Sequence, residues 1–110
     1  MNLEQQEEIL DNFYAKRMEV MHAKSLDYAS DKDVLDNFKN VASIVGVAPA
    51  QQCLSLIAVK VARIGNILSS GKTPNNEALE DSVLDMANYT DLLHCLLKEN
   101  PNQNETTTTQ

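Results

Sequence analysis

The chain has 110 residues and a mass of 12.2 kDa, enough for one domain with its own hydrophobic core and too short for two. Apolar residues make up 43% of it, which argues against wholesale disorder, and only three glycines and three prolines occur, which disfavours a turn-rich β-sandwich. Acidic residues outnumber basic ones 16 to 9, and the net charge of −7 disfavours general binding of nucleic acid.

Cysteine content and the N-terminus indicate where the protein works. Cys53 and Cys95 lie in apolar stretches and fit no metal-ligand spacing, so we expect buried free thiols in a reducing compartment. The N-terminus has neither the basic region nor the apolar run of a signal peptide, and no stretch is expected to cross a membrane. These features predict a cytoplasmic protein that makes no membrane contact.

In chain order, the first predicted element is one long amphipathic helix over residues 3 to about 28. Its apolar stripe consists of Leu10, Tyr14, Met18 and Met21. A second helix of roughly three turns is predicted next, capped by Asp31 or Asp33 and stopped by Gly46. Its apolar set consists of Val34, Phe38, Val41 and Val45.

The third predicted helix begins at Pro49, which suits the first turn of a helix. Residues 53–68 are apolar almost all the way round, so we expect a central helix that is packed on several sides. Residues 69–76, with Gly71 and Pro74, form a loop by their turn chemistry.

A fourth helix follows, capped by Asn75 or Asn76 and closed near Lys98. Its predicted core stripe consists of Leu79, Val83, Met86, Ala87, Thr90, Leu93 and Leu97. The tail at residues 99–110 has nothing to bury and is predicted to be disordered. The sequence therefore predicts an all-α, compact four-helix bundle-like domain over residues 1–98.

The fourth helix carries an acidic row. Glu77, Asp81 and Asp85 recur at four-residue steps and Asn88 follows, so all four lie within an arc of roughly 80°. One interpretation is a solvated acidic face. The other is a divalent metal site, because carboxylates on successive turns repel unless a cation screens them, and oxygen ligands of this kind suit Mg²⁺ or Mn²⁺.

A polar strip interrupts the third helix, where Lys60, Arg63 and Asn66 step by three and cover roughly 120°. These side chains either extend along the one solvated side of the helix or face the acidic row across a cleft. In the second case they form an ion-pair network or a site for a phosphorylated ligand.

Further polar residues lie at the end of the first helix and in the second. Taken singly, Lys24, Asp27, Tyr28 and Asn37 are more often caps, surface charges or packing residues.

Four spaced motifs occur in a fixed order between residues 15 and 97. They are Lys24-x-x-Asp27-Tyr28, Asn37-Phe38, Lys60-x-x-Arg63-x-x-Asn66 and Glu77-x-x-x-Asp81-x-x-x-Asp85-x-x-Asn88-Tyr89. In this order the chain resembles the small phage and bacterial proteins of the nucleotide modification associated domain group. Those proteins are similar to MazG-like all-α nucleoside triphosphate pyrophosphohydrolases.

The resemblance implies a helical bundle, assembled into dimers or tetramers, with a Mg²⁺-dependent site for nucleotide phosphates. It implies that Glu77, Asp81 and Asp85 are the metal ligands and catalytic carboxylates. It also implies that Lys60 and Arg63 hold phosphate oxygens. The remaining ligand-binding residues that it implies are Lys24, Asp27, Tyr28, Asn37, Asn66, Asn88 and Tyr89. The implied reaction converts a nucleoside triphosphate into a monophosphate and pyrophosphate.

One departure from the pattern keeps other functions open. MazG-like enzymes present a Glu-Glu-x-x-Glu arrangement on an earlier helix, whereas the first helix here offers Glu19 alone near its middle. A second hypothesis is therefore a non-catalytic phage protein that sequesters a nucleotide or a cyclic nucleotide immune signal. A third is a helical, self-associating interaction module whose polar strips are ion pairs and solvated faces.

Overall fold

Four α-helices make up the described part of the chain. The structure is a computed structural model, and it describes residues 1–28, 33, 35–71 and 76–99, without the side chains of residues 27, 28, 76 and 77. In chain order the helices are α1 (Leu3–Tyr28), α2 (Asp36–Val45), α3 (Pro49–Ser69) and α4 (Asn76–Glu99). Within these ranges no strand occurs. The predicted all-α class and its four helices are confirmed.

The first helix, α1, begins and ends where the sequence predicts and is about 39 Å long. The side chains of Asn2 and Gln5 start it by a reciprocal pair of hydrogen bonds: each side-chain oxygen accepts the backbone N–H of the other residue at 2.8 Å. Residues 1–12 are all exposed, and the helix packs against α4.

The predicted stop of α2 is confirmed. Gly46 has a left-handed φ of 85°, and its N–H donates to the carbonyl of Ala42 at 2.8 Å. Val47 donates to the same carbonyl at 3.0 Å. Of the two predicted caps, Asp31 lies outside the described residues. Asp33 is not the cap: the N-cap residue is Leu35, without a side-chain cap, and a carboxylate oxygen of Asp33 accepts the N–H of Leu35 at 2.9 Å.

The helix α3 begins at Pro49 as predicted, but it is less covered than its composition suggests. Only Ala50 and Cys53 are fully buried in its 21 residues. The reason is the arrangement of its neighbours: α2 and α4 pack against α3, whereas α1 packs against α4. A large apolar part of α3 is left exposed.

Contrary to the sequence-based expectation, α3 is long and apolar enough to cross a membrane, by length and composition alone. Among the described residues it is the one helix of this kind, and such a helix is weak evidence for a membrane span. Lys60 and Arg63 lie in its middle, and each charge would cost about 2.5–3.5 kcal/mol at the centre of a bilayer. The helix packs against α2 and α4, but only 6% of its apolar stretch is buried.

The side that α4 buries is centred away from the predicted stripe, although Leu93 of that stripe packs against the core. Thr90 and Leu97, which belong to that stripe, are exposed. The fully buried residues of α4 are Ser82, Leu84, Asn88 and Leu96, centred more than a third of a turn away at about 100° per residue. The cause is that α1 and α3 both pack against α4, so that polar residues are covered as well.

The core lies where α2, α3 and α4 meet. Its buried residues are Leu35, Phe38, Cys53 and Leu96, with Leu56, Tyr89, Leu92 and Leu93 packed around them. Lys39 of α2 binds Glu99 at the end of α4, which joins these two helices, and it also binds Asp33 just before α2. Burial of this cluster is the main stabilising term that the helices share.

Parts of the sequence analysis concern residues outside the described ranges. The predicted loop at 69–76 is described only at its two ends, and the predicted tail is described only at Glu99, which ends α4. The predicted cap Asn75 and the apolar residue Val34 also lie outside those ranges.

Candidate functional site

Three charged side chains from three helices meet at one point, which we call the Asp85 cluster. The carboxylate of Asp85 on α4 lies 3.3 Å from Nζ of Lys24 on α1 and 3.1 Å from Nζ of Lys60 on α3. The two lysines contact different oxygens of this carboxylate: Lys24 contacts Oδ1 and Lys60 contacts Oδ2. The sequence analysis left open whether the α3 strip faces the acidic row, and for Lys60 and Asp85 the structure shows that it does.

The Asp85 cluster is partly withdrawn from solvent. Burial alone would raise the pKa of Asp85, but the hydrogen bonds and positive charges of Lys60 and Lys24 outweigh it and hold the pKa below its ordinary value of 3.8. Asp85 is therefore ionised at neutral pH. The cluster of two ammonium groups and one carboxylate carries one net positive charge.

A small cavity of about 20 Å³ adjoins the cluster, which is room for about one water molecule. Residues from α1, α2 and α4 line it: Met21, Lys24, Ser25, Phe38, Asp85, Asn88, Tyr89 and Leu92. Because several of these side chains are apolar, the charged cluster lies at the edge of a largely apolar cavity.

Asn88 is the least satisfied polar residue of this cavity. Its side chain lines the cavity and the residue is only 4% exposed, yet neither Nδ2 nor Oδ1 has a hydrogen-bond partner among the described residues. Buried amides are nearly always hydrogen-bonded, because an unmade hydrogen bond costs about 1–3 kcal/mol. Any hydrogen-bond partner of this amide therefore lies outside the described residues.

The aromatic wall of the cavity rests on the core. The rings of Phe38 and Tyr89 pack edge to face, with centroids 6.5 Å apart and planes at 82°. Behind them, the thiol of Cys53 donates to the carbonyl of Tyr89 at 3.2 Å, and burial raises the pKa of this thiol to about 11. The cavity thus adjoins the hydrophobic core.

Other predicted site residues lie away from this cavity. Asn37, Arg63, Asn66 and Asp81 are exposed. The backbones of Asp27, Tyr28 and Glu77 are helical, but their side chains lie outside the description.

The structure describes the side chains of two of the three predicted metal ligands, Asp81 and Asp85. Both oxygens of Asp85 contact lysines, and Asp81 is exposed one turn earlier on α4. Among the described residues, no three acidic, histidine or cysteine side chains come together as metal ligands. Asp81 and Asp85 therefore do not form a Mg²⁺ site by themselves in this arrangement, and the side chain of Glu77, the third predicted ligand, is not described.

Sequence reasoning missed a second ion pair close to the site. Arg17 of α1 binds Asp91 of α4, and its guanidinium group lies 5.3 Å from the ring centre of Tyr14 and 5.9 Å from that of Phe13. The spacing of the two basic residues could have indicated this ion pair, because Arg17 and Lys24 are seven residues apart and so lie on the same side of α1. That side of α1 faces α4.

No family model, curated protein sequence or solved structure matches this chain. The resemblance to the nucleotide modification associated domain group therefore stays a prediction from the motifs.

Proposed function

We propose that this chain is a cytoplasmic nucleotide-binding protein of the MazG-like type, phage or bacterial, which holds the phosphate groups of its ligand at the Asp85 cluster. One observation carries the proposal: residues that the resemblance assigns to a single ligand site, although distant in sequence, lie around one cavity. Lys24, Asp85, Asn88 and Tyr89 line it, and Lys60 joins them through its contact with Asp85.

The charge of the cluster supports an anionic ligand. It carries one net positive charge in a molecule whose formal charge is −7. Lysine ammonium groups are common ligands of phosphate, and here two of them converge from different helices. Asp85 accepts from both lysines, and a phosphate would compete with it for the same donors.

The size of the cavity limits how the ligand binds. A volume of about 20 Å³ cannot hold a nucleobase. The proposed contacts are therefore made to phosphate groups at the rim, with Lys60 and Lys24. The exposed Arg63, three residues after Lys60 on α3, lies where it can extend the contact along a longer phosphate chain.

A second candidate is the hydrolytic activity that the resemblance implies. It is supported by α4, which is helical from Asn76 onward and so brings Glu77, Asp81 and Asp85 to successive turns of one helix. In that function Asp85 would have to exchange a lysine for a metal ion. Binding without hydrolysis requires no such exchange, and we therefore favour it.

Calorimetric titration with a nucleoside triphosphate, without and with Mg²⁺, tests the proposal. Lys60→Gln should weaken binding at least about tenfold, because a charge-assisted hydrogen bond contributes about 1.5–3 kcal/mol. Lys98→Gln is the matched control: it changes the net charge equally at an exposed position near the end of α4 and should bind like the wild type. Equal affinities of all three proteins would refute the site.

The variant Asp85→Asn separates the two functions. If the cluster only binds phosphate, the variant should bind the triphosphate more tightly, because the carboxylate no longer competes for the lysines, and the ligand should be recovered intact by chromatography. If the protein hydrolyses the ligand, the wild type should release pyrophosphate in the presence of Mg²⁺ and the variant should not. Pyrophosphate release by the wild type would replace the binding function by the enzymatic one.

A further inference from the structure

The small cavity beside the Asp85 cluster holds a polar group that phosphate contacts alone leave unused. Asn88 lines it, is 4% exposed, and has both an N–H donor and a carbonyl acceptor without a partner among the described residues. A phosphate oxygen accepts hydrogen bonds but donates none at neutral pH, so it can pair with Nδ2 of this amide and not with Oδ1. The amide therefore suits a group that both donates and accepts.

The volume of the cavity limits this group to about the size of one water molecule. The cavity measures about 20 Å³, and the apolar side chains of Met21, Phe38 and Leu92 are part of its wall. A phosphate group is too large for it, and a charged group would lose its hydration against these walls. A hydroxyl has the required size, and with one donor and two acceptor sites it can pair with either polar atom of the amide.

The position of the cavity selects one hydroxyl of a nucleotide, the one at C3′. Asp85 and Asn88 are three residues apart on α4, so their side chains lie on the same side of the helix, about 4.5 Å apart along its axis. Lys24 both contacts Asp85 and lines the cavity, so one short gap separates the proposed phosphate contact from the amide. A pentose can span this gap. Its 3′-hydroxyl is fewer bonds from the 5′-phosphate than the 2′-hydroxyl or the base is.

We propose that Asn88 binds the 3′-hydroxyl of the sugar of the ligand inside this cavity, while the 5′-phosphates lie at Lys24 and Lys60. This inference rests on the proposed function, and it names the ligand class: nucleotides with a free 3′-hydroxyl. Ribonucleotides and 2′-deoxyribonucleotides both belong to this class, because the cavity takes one hydroxyl only. Chains and rings joined through 3′–5′ phosphodiesters are excluded, because the cavity has no room for a phosphate on the 3′-oxygen.

Calorimetric titration of the wild type without Mg²⁺ tests which hydroxyl is bound. The parent ligand is whichever of ATP, GTP, CTP and UTP binds most tightly, and it is compared with its 2′-deoxy and 3′-deoxy forms. The 2′-deoxy form should bind like the parent. The 3′-deoxy form should bind about threefold to tenfold more weakly, because it loses one neutral hydrogen bond.

Methylation of the same two hydroxyls tests the size of the cavity at constant charge. The 3′-O-methyl form of the parent ligand should bind more weakly than its 3′-deoxy form, because the methyl group exceeds the space beside Asn88. The 2′-O-methyl form is the matched control and should bind like the parent. Equal affinities of the two methylated forms would contradict the exclusion of 3′-linked nucleotides.

The variant Asn88→Leu tests which side chain recognises the hydroxyl. It should bind the parent ligand and the 3′-deoxy form with equal affinity, because neither finds an amide in the cavity. Asn40→Leu is the matched control, since it makes the same substitution at an exposed position of α2 that does not line the cavity. That variant should keep the preference of the wild type. The comparison of ligands uses the wild type alone, so it decides the matter even if Asn88→Leu does not fold.

Failure of this inference and failure of the proposed function give different results. If the parent ligand binds and Lys60→Gln weakens it, but the 3′-deoxy form binds equally well, only the inference is wrong. The partner of the amide is then a water molecule or a residue outside the described ranges. A larger loss for the 2′-deoxy form would assign the cavity to the 2′-hydroxyl and overturn the inference as well. If none of the four triphosphates binds, the proposed function is refuted and the inference falls with it.

Discussion

Replacement of Asn88 by leucine separates the contribution of this residue to ligand binding from its effect on the fold. The amide is buried, and both of its polar atoms lack a partner among the described residues. Asn88→Leu keeps the number of side-chain heavy atoms and removes the unmade hydrogen bonds, so it should raise the free energy of unfolding by about 1 kcal/mol. The measurement is urea denaturation of both proteins without ligand.

The same variant should bind nucleoside triphosphate more weakly than the wild type, because the ligand loses the amide. Asn88→Ala serves as the control, since it also removes the amide but enlarges the cavity and should lower stability. A leucine variant that is both less stable and equally good at binding would show that the amide is satisfied within the protein and has no part in the site.

At the scale of one helix, the end of α2 depends on the left-handed conformation of Gly46. An alanine there should cost about 1–2 kcal/mol, because a side chain at φ 85° crowds the following carbonyl. Gly46→Asn should recover much of that loss, since asparagine tolerates this conformation. Thermal unfolding of the two variants checks the order, and an alanine variant as stable as the wild type would contradict the assigned cap.

The helices themselves were predictable because their signals are local. Gly46 and Pro49 mark a helix end and a helix start by their own backbone chemistry. The helix α1 also has the predicted bounds, although Leu10, Tyr14 and Met18 of its predicted apolar stripe are exposed. No neighbouring element is needed to read such signals. Their positions in the structure agree with the sequence analysis for this reason.

The side that α4 buries was not predictable in the same way. The spacing of apolar residues along α4 assigns Thr90 and Leu97 to the core and Asn88 to the surface. In the structure, α1 and α3 cover the side that carries Asn88. The contact of Arg17 with Asp91 joins residues 74 positions apart, which no spacing rule detects. Burial of polar residues depends on partners from other helices, and a single sequence does not supply their positions.

At the scale of the whole molecule, the ion pairs make stability depend on pH. The pKa of Asp33 lies below 3.8 chiefly because of its hydrogen bond with Lys39, and that of Asp85 is lowered by Lys60 and Lys24 against the opposing effect of burial. Both groups bind protons more readily in the unfolded chain. Their contribution to stability is therefore present above pH 3.8 and is lost as the pH falls through the folded-state values.

Urea denaturation between about pH 6 and about pH 2.5 should show this loss, and Asp85→Asn should reduce its slope. Glu80→Gln, at an exposed position one and a half turns earlier on α4, provides the charge-matched control and should keep the slope of the wild type. An identical slope in all three proteins would mean that the lysine contacts of Asp85 contribute nothing to folding.

The rates at which the two thiols are alkylated can report the opening of the core. Alkylating reagents attack the thiolate, and the buried Cys53, whose pKa burial raises to about 11, offers almost none of it while α2, α3 and α4 stay together. Cys95, which the sequence analysis expected to be buried, is exposed and reacts as a reference. The ratio of the two labelling rates thus reports how often the core opens, without any change to the native sequence.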